Sequence, residues 1–104
     1  MYAIGDVTAI PLAMGLPLPK AGTFALRQAR AVAQTIASEI LGRGEPGVFD
    51  GFGECFIEVG GGKAGIGAGN FYAEPLPAVK LRKPRRIWHL AKVWFEKRWF
   101  PKWV

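Results

Sequence analysis

The stretch from Thr23 to Leu41, TFALRQARAVAQTIASEIL, runs without a glycine or a proline. Its periodicity predicts a helix. At about 100° per residue, Ala25, Leu26, Ala29, Val32, Ala33, Ile36, Ala37 and Ile40 share one face. Arg27, Gln28, Arg30, Gln34, Ser38 and Glu39 share the other. Thr23 is placed to cap the start, and Gly42 to end it. Alanine dominates the apolar face, which therefore allows close approach to a sheet or to another helix.

The flanking segments read differently. MYAIGD predicts a short apolar strand ending in Gly-Asp. VTAIPLAMGLPLPKAG, with three prolines, predicts a loop. A strand at the first residue has no ladder to join, which implies that a preceding segment is missing. GRGEPGVFDGFG is a turn-rich connection. Cys55 to Val59 and Ala64 to Tyr72 predict two strands of a hairpin around GGGK. AEPLPAVKLRKP reads as an extended linker. Pro84 is placed to open a last helix, PRRIWHLAKVWFEKRWF, and Pro101 to end it. In that helix Ile87, Trp88, Leu90, Ala91, Trp94, Phe95 and Trp99 fall in one arc. His89, Lys92, Glu96 and Lys97 lie mostly opposite, and Trp103 sits just beyond. The expected class is α+β, one compact unit made of segments 1–43, 44–83 and 84–104.

A chain of 104 residues suffices for one modest core. Half of it is hydrophobic, which excludes a disordered tail. No apolar run reaches membrane-spanning length, and the N-terminus lacks the basic leader and cleavage site of a signal peptide. One cysteine cannot form an internal disulfide, and no Cys/His cluster points to a metal. His89 is the only histidine, so a Ser–His or Cys–His catalytic unit would have to use it. The net charge of +6 is unevenly placed. Residues 80–104 carry nine basic side chains and one acid, Glu96, whereas residues 1–79 carry five basic and seven acidic ones. A basic tail on a nearly neutral body points to an anionic partner surface.

Five features bear on chemistry. GGKAGIGAG resembles a dinucleotide fingerprint, but NFYAEPLP follows where the required helix should begin, so the glycines read as a turn and a strand with close backbone contacts. Asp6 in YAIGD is either a turn residue or an acceptor for a ribose or ribitol hydroxyl. PLPKAGTF brings Gly22 and Thr23 to a helix start, which reads equally as simple capping or as a place for partial negative charge. The tryptophan-rich basic helix reads as a membrane-surface element or as a packed helix with a solvated face. It lacks a recognisable nucleic-acid module, so no nucleic-acid partner is expected. Cys55, in ECF, reads locally as a buried strand cysteine and in the context of the other segments as a redox thiol.

In order and spacing, YAIGDVTAIPL, PLPKAGTFALRQARAVAQTIASEI, ECFIEVGGGKAGIGAGNFY and WHLAKVWFEKRWF resemble the C-terminal part of the sulfide:quinone oxidoreductase and flavocytochrome c sulfide dehydrogenase group. These are FAD-dependent flavoproteins with two dinucleotide-binding domains. The resemblance covers almost the whole chain. It implies that Gly5 and Asp6 match the segment binding the FAD ribitol. Gly22, Thr23 and Phe24 match the helix start near the flavin pyrimidine edge, and Lys20 matches the lysine before that helix. Cys55 matches the second of two redox cysteines. Phe95 matches an aromatic residue that contacts the quinone, and Lys92 would lie close to it.

The implied reaction starts with sulfide attacking a disulfide by thiol–disulfide exchange. Electrons then pass through a cysteine and FAD to a membrane quinone. The family's N-terminal FAD fingerprint, its middle domain and the partner cysteine are absent from this chain. The expectation is therefore a C-terminal part that is inactive alone and pairs with the missing N-terminal part. It would sit peripherally on a prokaryotic membrane, and a homo-oligomer is compatible with it. The alternatives are a non-enzymatic membrane-surface module and the C-terminal part of a type II NADH:quinone reductase.

Overall fold

A computed structural model describes residues 1–102, with Phe100 by its backbone alone. Trp103 therefore lies outside the described residues. The chain forms α1 (Gly22–Leu41), β1 (Phe52–Gly60), β2 (Lys63–Asn70), β3 (Ala78–Arg85) and α2 (Arg86–Trp99). One-turn 3-10 helices occupy Gly5–Val7 and Phe100–Lys102. The fold is a small α+β arrangement with a three-stranded antiparallel sheet in the order β1-β2-β3. The backbone divides into two compact units, each taking one end of every strand. The first comprises Met1–Glu54 with Gly69–Val79, and the second Cys55–Ala68 with Lys80 onward.

In the first unit the core is Leu12, Leu18 and Phe24, with Ile10, Ala21, Phe49 and Phe71 packed against it. The proline-rich loop supplies both leucines by folding back on itself. Pro11 bridges Pro17, Leu12 N–H donates to Leu16 (2.9 Å), and Leu18 N–H donates to Ile10 (2.8 Å). Phe24 is 2% exposed and meets Phe71 and Phe49 edge-on, with ring centroids 5.1 and 6.3 Å away. Its ring lies against the backbone of Gly53, where any Cβ would collide with it. The first turn of α1 can approach β1 because residue 53 has no side chain.

The structure corrects the reading of α1. Its inward side is Phe24 and Gln28, continued by half-buried Ala31, Thr35 and Ser38. Ala33, Ile36, Ala37 and Ile40, expected to be buried, are exposed, Ile40 at 79%. The cause is the returning chain. Gly47 lies so close to Ala31 that a Cβ would strike its backbone. Gly47 N–H donates to Thr35 Oγ1 (3.0 Å), and Gln34 Nε2 donates to Glu45 (3.1 Å). These polar ties pull the Ala31–Thr35 side inward, so that Ala25, Leu26, Ala29 and Val32 of the expected face are half-buried and its later residues lie outside. Nor does Thr23 cap the helix. The N-cap is Ala21 without a side-chain bond, and Thr23 Oγ1 instead donates to Glu54 of β1 (2.5 Å). Gly42, in the left-handed conformation, ends the helix as expected.

Residues 1–6 form no strand, since the chain turns at Gly5–Val7 instead. The linker reading of 73–84 is also corrected, because Ala78–Arg85 is the third strand. Its Pro84 removes one ladder donor, which an edge strand tolerates. Hence α2 begins at Arg86, after Pro84 rather than at it.

In the second unit α2 lies against β1, with Phe56 and Phe95 at 6.3 Å and Phe95 and Trp99 at 5.0 Å. The expected apolar arc of α2 is split. Trp88, Ala91, Phe95 and Trp99 are half-buried, while Ile87, Leu90 and Trp94 are exposed. His89 and Lys92, expected on the solvated side, are half-buried because Glu58 of β1 attracts both.

Candidate functional site

Gly5, Asp6, Lys20, Ala21, Phe24 and Gln28 surround one cleft at the start of α1. The Gly5–Asp6 turn is held from several directions. Gly5 takes a positive φ of 70°, and its N–H donates to Gln28 Oε1 at 2.6 Å. Thr8 returns its hydroxyl and its N–H to the Gly5 carbonyl (2.7 and 3.0 Å). Lys20 Nζ donates to the Asp6 carbonyl (2.5 Å), leaving the Asp6 carboxylate exposed and without a partner among the described residues. Gln28, 6% exposed, is thereby the residue that fastens the turn to the helix.

No side chain caps α1, and the first N–H groups of a helix have no acceptor inside it. The cleft therefore presents a free carboxylate acceptor and a lysine, and the open N–H groups of Gly22 and Thr23 stand at the helix start outside its lining. That donor set fits a ligand carrying hydroxyl groups and a partial negative charge. The enclosed space is only about 10 Å³, room for about one water. A large ring system would have to lie over the cluster, with its other wall supplied from elsewhere. Sequence reasoning picked out Gly5, Asp6, Lys20 and Phe24 and missed Ala21 and Gln28, because neither an alanine before a helix nor a glutamine on one carries a signal of its place, while Gly22 and Thr23, also picked out, do not line the cleft.

Cys55 belongs to the second unit, on β1. It is a free, half-buried thiol whose Sγ lies 3.4 Å from the Phe56 carbonyl. Side chains alternate across a strand. Phe56 and Glu58 meet α2, so Cys55 points to the opposite face of the sheet. Phe95 sits between Phe56 and Trp99. Lys92 is engaged by Glu96 at 2.6 Å and by Glu58 at 3.7 Å. The bond to Glu96 raises its pKa above the ordinary value, burial opposes this, and the charges of Glu96 and Glu58 add to the rise. His89 Nδ1 completes this chain at 2.9 Å from Glu58. Lys92 is thus neighbour to Phe95 on the helix, with its ammonium committed to two carboxylates.

Among the described residues no group of His, Cys, Asp and Glu could hold a metal ion. No helix there is long and apolar enough to cross a membrane. No protein-family model, no characterised protein and no solved structure matches this chain.

Proposed function

We propose that this chain is the C-terminal part of an FAD-dependent oxidoreductase of the sulfide:quinone type and works with a second polypeptide segment. The carrying observation is the cleft at the start of α1. Gly5 and Asp6 are brought beside Lys20, Ala21 and Phe24, and the Asp6 carboxylate is left free to accept from a polyol. Gly22 and Thr23, at the helix start but outside the cleft lining, would offer backbone donors to a carbonyl edge of a ligand lying over the cluster. FAD bound there would supply two-electron transfer between a thiol and a quinone.

Two further observations support an incomplete site. The cleft is far too small to enclose a flavin, and Ala33, Ile36, Ala37 and Ile40 form an exposed aliphatic stripe on the same helix. Contiguous exposed apolar surface marks an interaction face. Cys55 would serve as the thiol. Phe95, in its aromatic group with Phe56 and Trp99, would offer a flat apolar surface to the quinone ring. The basic helix α2 would hold this end of the protein at a membrane surface.

The test is co-expression with the N-terminal, two-domain part of a sulfide:quinone oxidoreductase. The expected outcome is a co-purifying complex with flavin absorbance, which neither part shows alone. A folded complex that stays colourless contradicts the proposal.

A further inference from the structure

Among the described residues Gln28 is the one buried polar side chain, 6% exposed. A primary amide carries one acceptor oxygen and two N–H donors. The oxygen is accounted for, because Gly5 N–H donates to Oε1 at 2.6 Å. That bond also fixes which end of the amide is which, since an N–H donor needs the oxygen. The Nε2 end has no hydrogen-bond partner among the described residues. No sealed side-chain nitrogen or oxygen there lacks a partner, so Nε2 opens onto a cavity and not onto packed protein. Gln28 lines the Asp6 cleft with Gly5, Asp6 and Lys20. On its other side it borders an open groove walled by Ile4, Val32 and Phe49.

Buried polar groups are as a rule paired, and this unpaired donor shares a cleft with an unpaired acceptor. The Asp6 carboxylate only accepts hydrogen bonds, and the Gln28 NH2 only donates them. A hydroxyl does both. It can give its proton to Asp6 and take an N–H from Gln28 at the same oxygen. A phosphate or carboxylate would be repelled by Asp6, and a ketone would satisfy Gln28 alone. We propose that Gln28 is a ligand-binding residue of the Asp6 cleft: its Oε1 holds the Gly5–Asp6 turn while its Nε2 donates to a hydroxyl of a polyol ligand. The inference rests on the flavoprotein reading, in which that polyol is the ribityl chain of FAD. It gives the site a residue that the resemblance does not assign, and it makes a hydroxyl the group that this cleft selects.

The experiment is titration of FAD into the flavin-free complex of this chain with the N-terminal, two-domain part, followed by flavin fluorescence. Gln28→Glu keeps an oxygen for Gly5 N–H but replaces the donor with a second carboxylate facing Asp6. At about pH 7.5 its affinity should fall roughly ten-fold. Burial raises the pKa of a carboxyl group, so at about pH 5.5 its O–H can take the place of the lost N–H. Affinity should then recover to within about three-fold of the unmodified complex at the same pH. Asp6 and Lys20 are the other titratable residues lining the cleft, and that comparison cancels their effect. Gln28→Met should bind weakly at both pH values. Because one hydroxyl joins the two residues, Asp6→Ala/Gln28→Met should bind about as weakly as the weaker single variant. Full affinity of Gln28→Glu at the higher pH, the outcome of a purely fastening role, overturns the proposal. So does a loss that the lower pH does not repair, or single losses that multiply in the double variant, which would turn the amide toward the groove. If circular dichroism shows Gln28→Glu unfolded, Gln28→Met and the double variant decide the question. An unmodified complex that binds no FAD overturns the oxidoreductase reading and this inference with it, whereas FAD binding indifferent to Gln28 removes this inference alone.

Discussion

Phe24→Ala is expected to remove most of the stability of the first unit. Phe24 is its most buried large side chain, at 2% exposure, and touches Phe49, Phe71 and the backbone of Gly53. Truncating a buried phenylalanine costs about 3–5 kcal/mol, from lost transfer energy and the cavity left behind. Domains of this size have about 5–15 kcal/mol in total, and with Leu12 and Leu18 as the only other buried hydrophobic residues of that unit this one should lie at the low end. Urea unfolding should show a lost or strongly shifted transition for Phe24→Ala. Ile40→Ala, at a position 79% exposed, should change stability by less than about 0.5 kcal/mol in the chain alone. A Phe24→Ala protein within about 1 kcal/mol of the unmodified chain would contradict the core assignment. The same ring lines the Asp6 cleft, so loss of the core would also unmake the candidate cofactor site.

Cys55→Ser carries the largest expected effect on activity. In the complex with the N-terminal part, flavin content should be unchanged, since Cys55 is absent from the α1 cleft. Sulfide-dependent quinone reduction should fall by roughly a thousand-fold or more, the scale seen when a covalent nucleophile is removed. A hydroxyl cannot replace a thiolate in disulfide exchange. Unchanged activity after the substitution would count against Cys55 as the redox thiol, whereas quinone reduction driven by NADH and indifferent to Cys55 would point to a type II NADH:quinone reductase. The placement of Cys55 on the face of β1 opposite Phe56 and Glu58 accords with a donor and an acceptor that approach from different sides.

Some of this architecture was legible in the residues. The α1 boundaries followed from an unbroken run closed by Gly42, and the β1–β2 hairpin from alternating apolar residues around a glycine turn. What escaped depended on long-range polar contacts. Gln28 reaches Gly5 across 23 positions, and this bond draws the Gly5–Asp6 segment onto the helix instead of into a ladder. Thr35 does the same for Gly47, drawing the Ala31–Thr35 side inward and leaving Ile36 and Ile40 exposed. In α2, Glu58 recruits His89 and Lys92 from 31 and 34 positions away, dividing an arc that periodicity had assigned to one face. β3 was hidden by Pro84 within it, which edge position makes tolerable, and by Pro75 and Pro77 just before it.

The candidate site divides along the same line. Asp6, Lys20 and the start of α1 were picked out by segment order, and the structure places Asp6, Lys20 and Phe24 around one cleft while Gly22 and Thr23 fall outside its lining. The basic excess of residues 80–104 was legible in the sequence, but not that Arg82 would lie over Trp88 and line one recess with Lys83 and Arg85.

The most direct test of the central claim is the visible spectrum of the complex between this chain and an N-terminal flavoprotein part, compared with that of its Asp6→Ala variant. The account predicts a flavin band at full occupancy in the first. In the second the band should be weakened by about ten-fold or more after dialysis, the order expected on loss of a charge-assisted hydrogen bond. A complex that retains its flavin equally with alanine at position 6, or never acquires one, contradicts it.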